Sequence, residues 1–577
     1  MKELLTDLRI VKQRLEFDSA AGRQNERNLH SAPNRQNERN LSSGENSVTT
    51  QSLSIQRTGD VVETPTASMS KTLASKISRR PRITGIALAV ISIAVSAGVY
   101  TLFFAPVSKA IDSIAVLPLV NASGDAQMDY LSDGITESII NSLSQLPQLR
   151  VVPRVAAFRF KGSEIDPRAI GRKLGVRAIL TGKVIQVGDT LSIQTDLIDV
   201  ADQSQRWGRK YNRKLSEILA VQDEIANEIC SKLQLKFNGA EQQKLTKHFT
   251  ADTQAYQLYL QGRYYWKKYS KEGLEKSIRY FNAAIEKDPG YALAYSNIAD
   301  SYVVLGIFSL PPREAFPKAK MAAEKALSID ESLAAGHISM GACRLFYDWD
   351  WPGAEREAQR AMELNAAYAK AIEVNTNYDD EHHFYCQALD TMGKPRESID
   401  EMRKVLALDP LSVAMRFEMS FSLYIVRDYD QAIAEGLKAL EMDPGFIGSY
   451  GCVAQAYEQK GKGAEAIAYM QKARTLFGDD PGVLSELACA YAVSGQKAEA
   501  QKLVDALTAR TAREYIEPTL IGLIHIGLGN KNQAFEWLEK AYNARSSWMT
   551  WLKVEPKFDP LRSDERFRDL VRRVGIP

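Results

Sequence analysis

The chain has 577 residues, too many for one hydrophobic core, so several domains are expected. Its 45% hydrophobic and 25% charged residues are ordinary for globular domains. With 73 Lys and Arg against 71 Asp and Glu, the formal charge of +2 gives no electrostatic basis for binding nucleic acid. The five cysteines are far apart and form no C-x-x-C pair, which favours buried apolar thiols over disulfides or a zinc site.

The region before residue 83 divides into a short helical pattern and a long polar stretch. Residues 1–18 have the periodicity of an amphipathic helix. Residues 19–82 are rich in Asn, Ser, Thr, Gln and Arg and almost free of aromatic residues. Because such a stretch buries too little apolar surface to offset chain entropy, we expect a disordered cytoplasmic linker.

Residues 83–105 form an uncharged apolar run, long enough to cross the hydrocarbon core of a bilayer. Five basic residues and no acidic residue lie in residues 71–82, so the positive-inside rule places the N-terminus in the cytoplasm and residues beyond 106 outside. A cleaved signal peptide would have a shorter apolar core nearer the N-terminus, and a buried soluble helix would normally show a polar stripe. The sequence therefore predicts a single-pass protein of a bacterial cytoplasmic membrane, with its C-terminal domains extracytoplasmic.

Residues 112–237 have the mixed pattern of a small α/β domain. Short apolar runs predict strands, and apolar residues at helical spacing predict helices. Gly188-Asp189 separates two of the strands and predicts a two-residue hairpin turn. The predicted strands are 114–119, 149–152, 178–187 and 191–200, and the predicted helices are 133–146, 167–174 and 215–233.

The same region resembles the TolB-like amino-terminal domain that precedes tetratricopeptide repeats in many bacterial proteins. The resemblance implies an envelope-associated module for protein interaction and assigns no chemistry to any residue. Ser132, Asp133 and Gly134 are read as a helix cap at Asp133 rather than as a ligand loop. The matching stretches are Ile114 to Leu119, Tyr130 to Ile135, Leu149 to Arg154, Phe160 to Gly162, Thr181 to Val184, Trp207 and Gln222 to Ala226.

Residues 252–545 have the repeat length and small-residue pattern of tetratricopeptide (TPR) repeats, which are units of about 34 residues. The fold class expected is therefore mainly α: an α–α superhelical TPR solenoid of about eight repeats after the small α/β domain. Longer spacings near residues 308–312, 348–352 and 365–380 predict insertions in the early repeats, the last of them a partial unit. The small positions of the first helices are Gly262, Ala299, Gly341, Cys386, Ser420, Ala454, Ala488 and Gly522, and those of the second helices include Ala432, Ala466, Ala500 and Ala534.

The first helices of TPR units line a concave groove that binds proteins or peptides, and the partners expected here are of that kind. Some of the aromatic side chains at these positions are equally compatible with packing between repeats. Carried over by position, the predicted lining is Tyr259, Arg263, Trp266, Phe417, Phe421, Tyr424, Gln455, Glu458 and Thr519.

We find no constellation of residues typical of a catalytic, cofactor or metal site. Asp379-Asp380-Glu381-His382-His383 is rich in possible ligands, but adjacent histidines on a helix point apart and the H-E-x-x-H order is absent. Walker, Rossmann, nucleophile-elbow and kinase motifs are also absent from the sequence. The sequence predicts no enzyme, no cofactor and no small-molecule substrate.

Two terminal segments carry further resemblances. Met1 to Glu16 is similar to the last helix of bacterial serine/threonine kinase domains, which implies, as an alternative, the sensor and anchor portion of a receptor-type kinase without its catalytic domain. Pro556 to Asp564 with Arg566-Phe567 resembles the tail that follows the last repeat in TolB-like plus TPR proteins. We expect residues 546–577 to cap the last apolar face. The leading functional prediction is a membrane-anchored, outward-facing scaffold for protein–protein interaction.

Overall fold

The computed structural model describes residues 111–577 except 126–127, 147, 164–165, 202–203, 236–248, 269, 371–377, 409 and 411. These residues belong to a unit that spans residues 106–577. The amphipathic pattern of residues 1–18, the linker of residues 19–82 and the span of residues 83–105 lie outside the described residues. Within the described part of the chain, no helix is both long enough and apolar enough to cross a membrane.

The first part of the described chain is an α/β domain with a mixed sheet. The strand order is β3-β1-β4-β5-β6, with β2 beside β4; β1 is parallel to β3 and β4, and β4, β5 and β6 are antiparallel. The elements are β1 (Ser113–Val116), β2 (Val120–Asn121), α1 (Asp129–Leu143), β3 (Arg150–Val151), α2 (Arg154–Phe158), α3 (Pro167–Leu174), β4 (Ala178–Val187), β5 (Thr190–Asp199), β6 (Gln205–Lys214), a 3-10 turn (Leu215–Glu217) and α4 (Ile218–Lys232).

The alternation of side chains along the strands places helices on both faces of this sheet. Ile114 and Val116 of β1 pack in a core with α1 and α4, while Ala115 and Leu117 pack on the other side with α2 and α3. The predicted hairpin is confirmed: Val187 pairs with Thr190, and Gly188 has the positive φ of 59° that its turn requires.

Two local expectations are corrected. Helix α1 begins at Asp129, four residues before the predicted start at Asp133, and the added turn buries Leu131 and Ser132. Asp133 therefore lies inside the helix and does not cap it; its carboxylate pairs with Lys161 at 2.7 Å. Strand β6 was not predicted, since its residues are mostly polar and exposed, as is common at a sheet edge.

Eight helix pairs follow in the described residues after 249, and they match the predicted repeats. The pairs are α5 (Thr253–Trp266) and α6 (Lys271–Lys287), α7 (Ala292–Phe308) and α8 (Pro312–Ile329), α9 (Ala334–Cys343) and α10 (Trp351–Lys370), α11 (Tyr378–Thr391) and α12 (Pro395–Leu408), α13 (Val413–Ile425) and α14 (Tyr429–Met442), α15 (Ile447–Gln459) and α16 (Gly463–Phe477), α17 (Pro481–Val493) and α18 (Lys497–Arg510), and α19 (Pro518–Leu528) and α20 (Lys531–Ala544).

The small residues of the repeats allow the close approach of the two helices in each pair. Ser420, Ala454 and Ala488 are fully buried, and a Cβ added at Gly262 would lie 2.4 Å from the ring of Phe281. First helices of neighbouring repeats also pack on one another, α13 on α15 and α17 on α19 for example, which places first helices on the inner side of the array.

The structure explains one of the longer spacings between the early repeats. Residues 344–348 form a π-helical turn that ends at Trp349, whose φ of 58° is left-handed, and this accommodates extra residues between α9 and α10. The middle of the partial unit expected at residues 365–380 lies outside the described residues; α10 runs to Lys370 and α11 begins at Tyr378. All five cysteines are buried free thiols, as predicted.

The chain ends in a non-α-helical segment and one short helix. Residues 547–561, which we call the strap, contain the 3-10 turns Ser547–Trp551 and Pro556–Leu561. Helix α21 (Glu565–Val574) then packs on α20, the second helix of the last repeat. Several side chains of the strap reach back to repeats five to seven.

Candidate protein-binding groove

The three groove positions predicted in the first repeat meet buried partners. The Tyr259 ring is 8% exposed and packs 5.6 Å from that of Phe281, while Trp266 lies against an apolar cluster formed with α6 and α7. Arg263 Nη2 donates to Glu137 Oε1 at 2.9 Å, and its Nη1 donates to Asn297 Oδ1 at 3.1 Å. This end of the array is therefore a junction with the α/β domain.

Glu137 of α1 is the centre of that junction. Arg154 Nε, Arg263 Nη2 and Lys267 Nζ lie 3.2, 2.9 and 2.5 Å from its carboxylate. Burial alone would raise the pKa of Glu137, but these cations outweigh burial and hold the pKa well below its usual range. Burial lowers the pKa of Lys267 to about 8 despite the attraction of Glu137. The carboxylate of Glu137 thus neutralises part of the positive charge that Arg154, Arg263 and Lys267 bring to this junction.

In repeat five, two of the three predicted lining positions contact the strap. Phe421 contacts the Trp551 ring edge to face, with centroids 5.0 Å apart. Tyr424 is fully buried and donates its hydroxyl hydrogen to Glu555 Oε1. Just after α13, Arg427 Nη2 lies 2.7 Å from Asp559 of the strap. Phe417 instead packs 5.4 Å from Phe446, at the contact between repeats.

The buried ammonium of Lys557 lies among carboxylates of the groove. Its Nζ is 2.5 Å from Glu486 Oε2 and 3.4 Å from Glu458 Oε2, and Gln455 Nε2 donates to Glu486 Oε1 at 3.0 Å. Burial would lower the pKa of Lys557, but Glu458 and Glu486 raise it well above its usual value. Burial raises the pKa of Glu458 to about 7; Lys557 opposes this shift and Glu486 adds to it.

Thr519 belongs to the start of the last repeat. Its Oγ1 donates to Glu517 Oε1 at 2.9 Å, and Ser546 Oγ donates to the same oxygen. Glu517 also accepts from the backbone N–H of Thr519 and caps α19. These contacts fix Ser546, the residue just before the strap, to the start of α19.

Several residues of this site were missed from the sequence: Glu486 and Arg427 on the repeats, and Trp551, Glu555, Lys557 and Asp559 on the strap. One signal was available. Gln387 donates to Glu418 at 3.2 Å as Gln455 does to Glu486, and the two pairs lie two repeats of about 34 residues apart. A recurring amide–carboxylate pair on first helices indicates an acidic groove.

The acidic stretch at residues 379–383 is described only in part. His383 Nδ1 lies 3.2 Å from Glu418 Oε1, and the side chains of 379–382 are outside the described residues. Across the described side chains, no group of three His, Cys, Asp or Glu residues is arranged to hold a metal ion.

Comparison with family models finds three matching stretches. Residues 457–517 and 519–547 match tetratricopeptide repeats. Residues 109–228, most of the region compared above with TolB-like domains, match the second domain of HilA/YgeH-like transcriptional regulators.

A curated relative is the putative adenylate cyclase 3 of Rhizobium meliloti (strain 1021), 33% identical over 232 residues. The match covers 40% of this chain, and this chain spans about two fifths (39%) of that protein's length.

Similar solved structures include YrrB, a TPR protein with an unusual peptide-binding site, at 19% identity and a TM-score of 0.23 over 34% of this chain and 93% of YrrB. A human IFIT1 dimer with m7Gppp-AAAA has 14% identity and a TM-score of 0.36 over 56% and 77% of the two chains. TolB from Acinetobacter baumannii has 18% identity and a TM-score of 0.16 over 22% and 30%. The matched family models and the eight helix pairs together make the helical array a TPR domain.

Proposed function

We propose that this protein is a membrane-anchored scaffold that binds partner proteins through a peptide segment lying along the inner face of repeats five to seven. The observation that carries the proposal is the chemistry of that face. Phe421, Tyr424, Glu458 and Glu486 already contact a non-α-helical segment of about 15 residues, the strap. A surface of aromatic rings beside hydrogen-bonding side chains is typical of peptide recognition.

The predicted membrane span and the α/β domain, which precede the array, are consistent with this function. The predicted span at residues 83–105 supplies the anchor, with the N-terminus cytoplasmic and the array outside. The α/β domain, by its TolB-like resemblance an envelope module, holds the first repeat through Glu137. A reporter fused at the C-terminus that is active only outside the cytoplasm tests this topology; activity only in the cytoplasm would contradict it.

The experiment that tests groove binding is a selection of displayed peptides against the purified full chain. Selected peptides are expected to bind at least tenfold more weakly to Phe421→Ala and Glu486→Gln variants, because each change removes a central contact. Leu476→Ala and Glu499→Gln are matched controls, since both side chains are exposed on second helices. Equal losses in the controls, or none in the groove variants, would contradict the proposal.

A second function, from a different class, is the regulatory portion of a transmembrane signalling enzyme. The similarity of Met1 to Glu16 to a kinase tail favours a receptor-type serine/threonine kinase, and the putative adenylate cyclase relative favours a signalling context more generally. An immunoblot of the native protein separates the two functions. A band near 64.3 kDa supports the scaffold, and a clearly larger band supports a signalling enzyme with a further domain.

A further inference from the structure

We propose that the strap is a resident, displaceable occupant of the groove, and that the partner segment which replaces it carries a cationic side chain for Glu458 and Glu486 and an aromatic ring for Phe421. This inference rests on the proposed function of the groove. It adds the chemistry of the partner and a self-occupied resting state.

The strap has two sides of different character. On one side Leu552, Phe558 and Leu561 are almost fully buried in the apolar cluster that holds residues of α19, α20 and α21 and also residues of α17 and α18. Phe558 packs 5.6 Å from the Phe567 ring of α21. Apolar contact over this side attaches the strap firmly to the last repeat.

The other side of the strap meets repeats five to seven through single side-chain pairs and through Val554, which packs against the apolar cluster around Leu423 and Tyr424. Trp551 contacts Phe421, and Glu555 accepts from Tyr424. The remaining pairs are ionic: Lys557 with Glu486 and Glu458, and Asp559 with Arg427. Arg427 and Asp559 are both more than 40% exposed, so water competes with that pair. The strap therefore parts more easily from repeats five to seven than from the last repeat.

The groove also has hydrogen-bonding capacity that the strap does not use. Oε1 of Glu458 and Oε1 of Gln455 are buried and accept no hydrogen bond from any described residue, and Oε2 of Glu458 has only the long ion pair with Lys557 at 3.4 Å. Buried acceptors of this kind are costly to leave unpaired. An ammonium has three N–H donors and a guanidinium five, so an arginine in the position of Lys557 would satisfy more of them.

The charge balance at this point favours the same class of partner. The Lys557 ammonium pairs with the carboxylates of Glu458 and Glu486, and Glu555 accepts from the backbone N–H of Lys557. Glu555 belongs to the strap and leaves with it, whereas Glu458 and Glu486 remain on the groove. Displacement thus exposes two closely spaced carboxylates, which attract a basic segment.

Both ends of the strap are anchored, which allows it to move as a loop. Before it, the Arg545 guanidinium lies over the Trp349 ring at 4.2 Å; after it, the Arg566 guanidinium lies over the Phe535 ring at 4.0 Å. A tethered occupant has a high effective concentration, so a partner must bind more tightly than the strap to replace it. Self-occupation therefore sets a threshold for partner binding.

The test uses a fluorescent synthetic peptide with the sequence of residues 547–561 and the purified full chain. In a Lys557→Gln/Asp559→Asn variant, which loses the ionic pairs but keeps the apolar side, the peptide is expected to bind at least tenfold more tightly than in the wild type. A peptide with Arg in place of Lys557 is expected to bind at least as tightly, and one with Glu there is expected not to bind. Lys553→Gln/Asp569→Asn, which makes the same charge change away from the groove, is the control.

Equal peptide binding to variant and wild type, or binding that ignores the charge at position 557, would overturn the proposal. Hydrogen exchange on the unmodified chain decides the matter if the variant does not fold. Amides of residues 552–561 are expected to exchange before those of α15 and α17, and exchange only with global unfolding would contradict displacement. If selected partner peptides need Phe421 and Glu486 but are unaffected by the strap variant, the proposed function stands and this inference fails. If the strap peptide binds the strap variant but no selected partner peptide depends on Phe421 and Glu486, this inference stands and the proposed function fails.

Discussion

The ammonium of Lys557, twenty residues before the C-terminus, lies 3.4 Å from the buried carboxylate of Glu458 in the first helix of repeat six. This relationship joins a strap at the end of the chain to the inner face of the array. It explains why a lysine is only 9% exposed, and it partly offsets burial, which raises the pKa of Glu458 to about 7. The groove that the sequence assigned to partners is thus occupied by the chain itself.

Removal of the Lys557 ammonium is expected to lower the unfolding free energy of the array. A Lys557→Met variant keeps the bulk of the side chain but leaves Glu458 and Glu486 buried without their cation. The array is expected to lose about 3 kcal/mol of unfolding free energy, because breaking a buried pair from one side strands a charge. Chemical denaturation followed by circular dichroism measures the loss. Lys553→Met is the control, and an equal effect there would contradict the role of Lys557.

The raised pKa of Glu458 makes stability depend on pH. Its pKa is about 7 in the folded chain against an ordinary value of 4.5, so the folded state binds the proton more tightly between these limits. The unfolding free energy is therefore expected to fall as pH rises from about 4.5 to about 7, by at most about 3 kcal/mol from this group. Burial also raises the pKa values of Glu418, Glu517 and Glu555, which act in the same direction.

A Glu458→Gln variant isolates this contribution. Its unfolding free energy, measured at pH 5 and pH 8, is expected to change less with pH than that of the wild type. A pH dependence as steep as that of the wild type would show that Glu458 does not titrate in this window.

The junction between the α/β domain and the first repeat depends on Glu137. In a Glu137→Gln variant, Arg154, Arg263 and Lys267 would be left near one another without the carboxylate that pairs with all three. We expect a loss of about 3–5 kcal/mol and faster hydrogen exchange in α1 and α5. Glu272→Gln, in an exposed pair with Lys276, is the control and is expected to change neither quantity. Unchanged exchange in α1 and α5 would show that other contacts hold the two domains together.

Two glycines in first helices should respond oppositely to the same substitution. In Gly262→Ala the new Cβ would meet the Phe281 ring at 2.4 Å, and overpacking of this kind costs about 1–3 kcal/mol. In Gly451→Ala no atom lies within 4 Å of the new Cβ, so the better helix propensity of alanine should stabilise α15 by up to about 1 kcal/mol. Thermal unfolding of both variants checks the opposite signs. The same sign in both would contradict the close helix contact at Gly262.

The repeats were predictable because their signal is local and periodic. Ala454 and Ala488 recur at a fixed spacing, and each reports a contact made within its own repeat or with the next one. The hairpin at Gly188 was predictable for the same reason, since two residues determine the turn. The polar strand β6 was missed because an exposed edge strand lacks apolar alternation.

The occupied groove was not predictable from such signals. The positions of Phe421, Tyr424 and Glu458 on first helices follow from the repeat register, but their contacts with Trp551, Glu555 and Lys557 depend on how far the array curves. Pro556 to Asp564 was recognised as a tail, and sequence spacing alone does not reveal that its side chains reach repeats five to seven.

The most direct test of the account places a photo-reactive benzoylphenylalanine in the position of Phe421, with the same substitution at Leu476 on the outer helix α16 as the reference. Without a partner, the group at 421 is expected to cross-link to the strap within the same chain; with a bound basic, aromatic peptide, the cross-link is expected to shift to that peptide. The group at 476 is expected to give neither product. Peptide cross-links from 476 but not from 421 would contradict a peptide-binding groove on the inner face of the array.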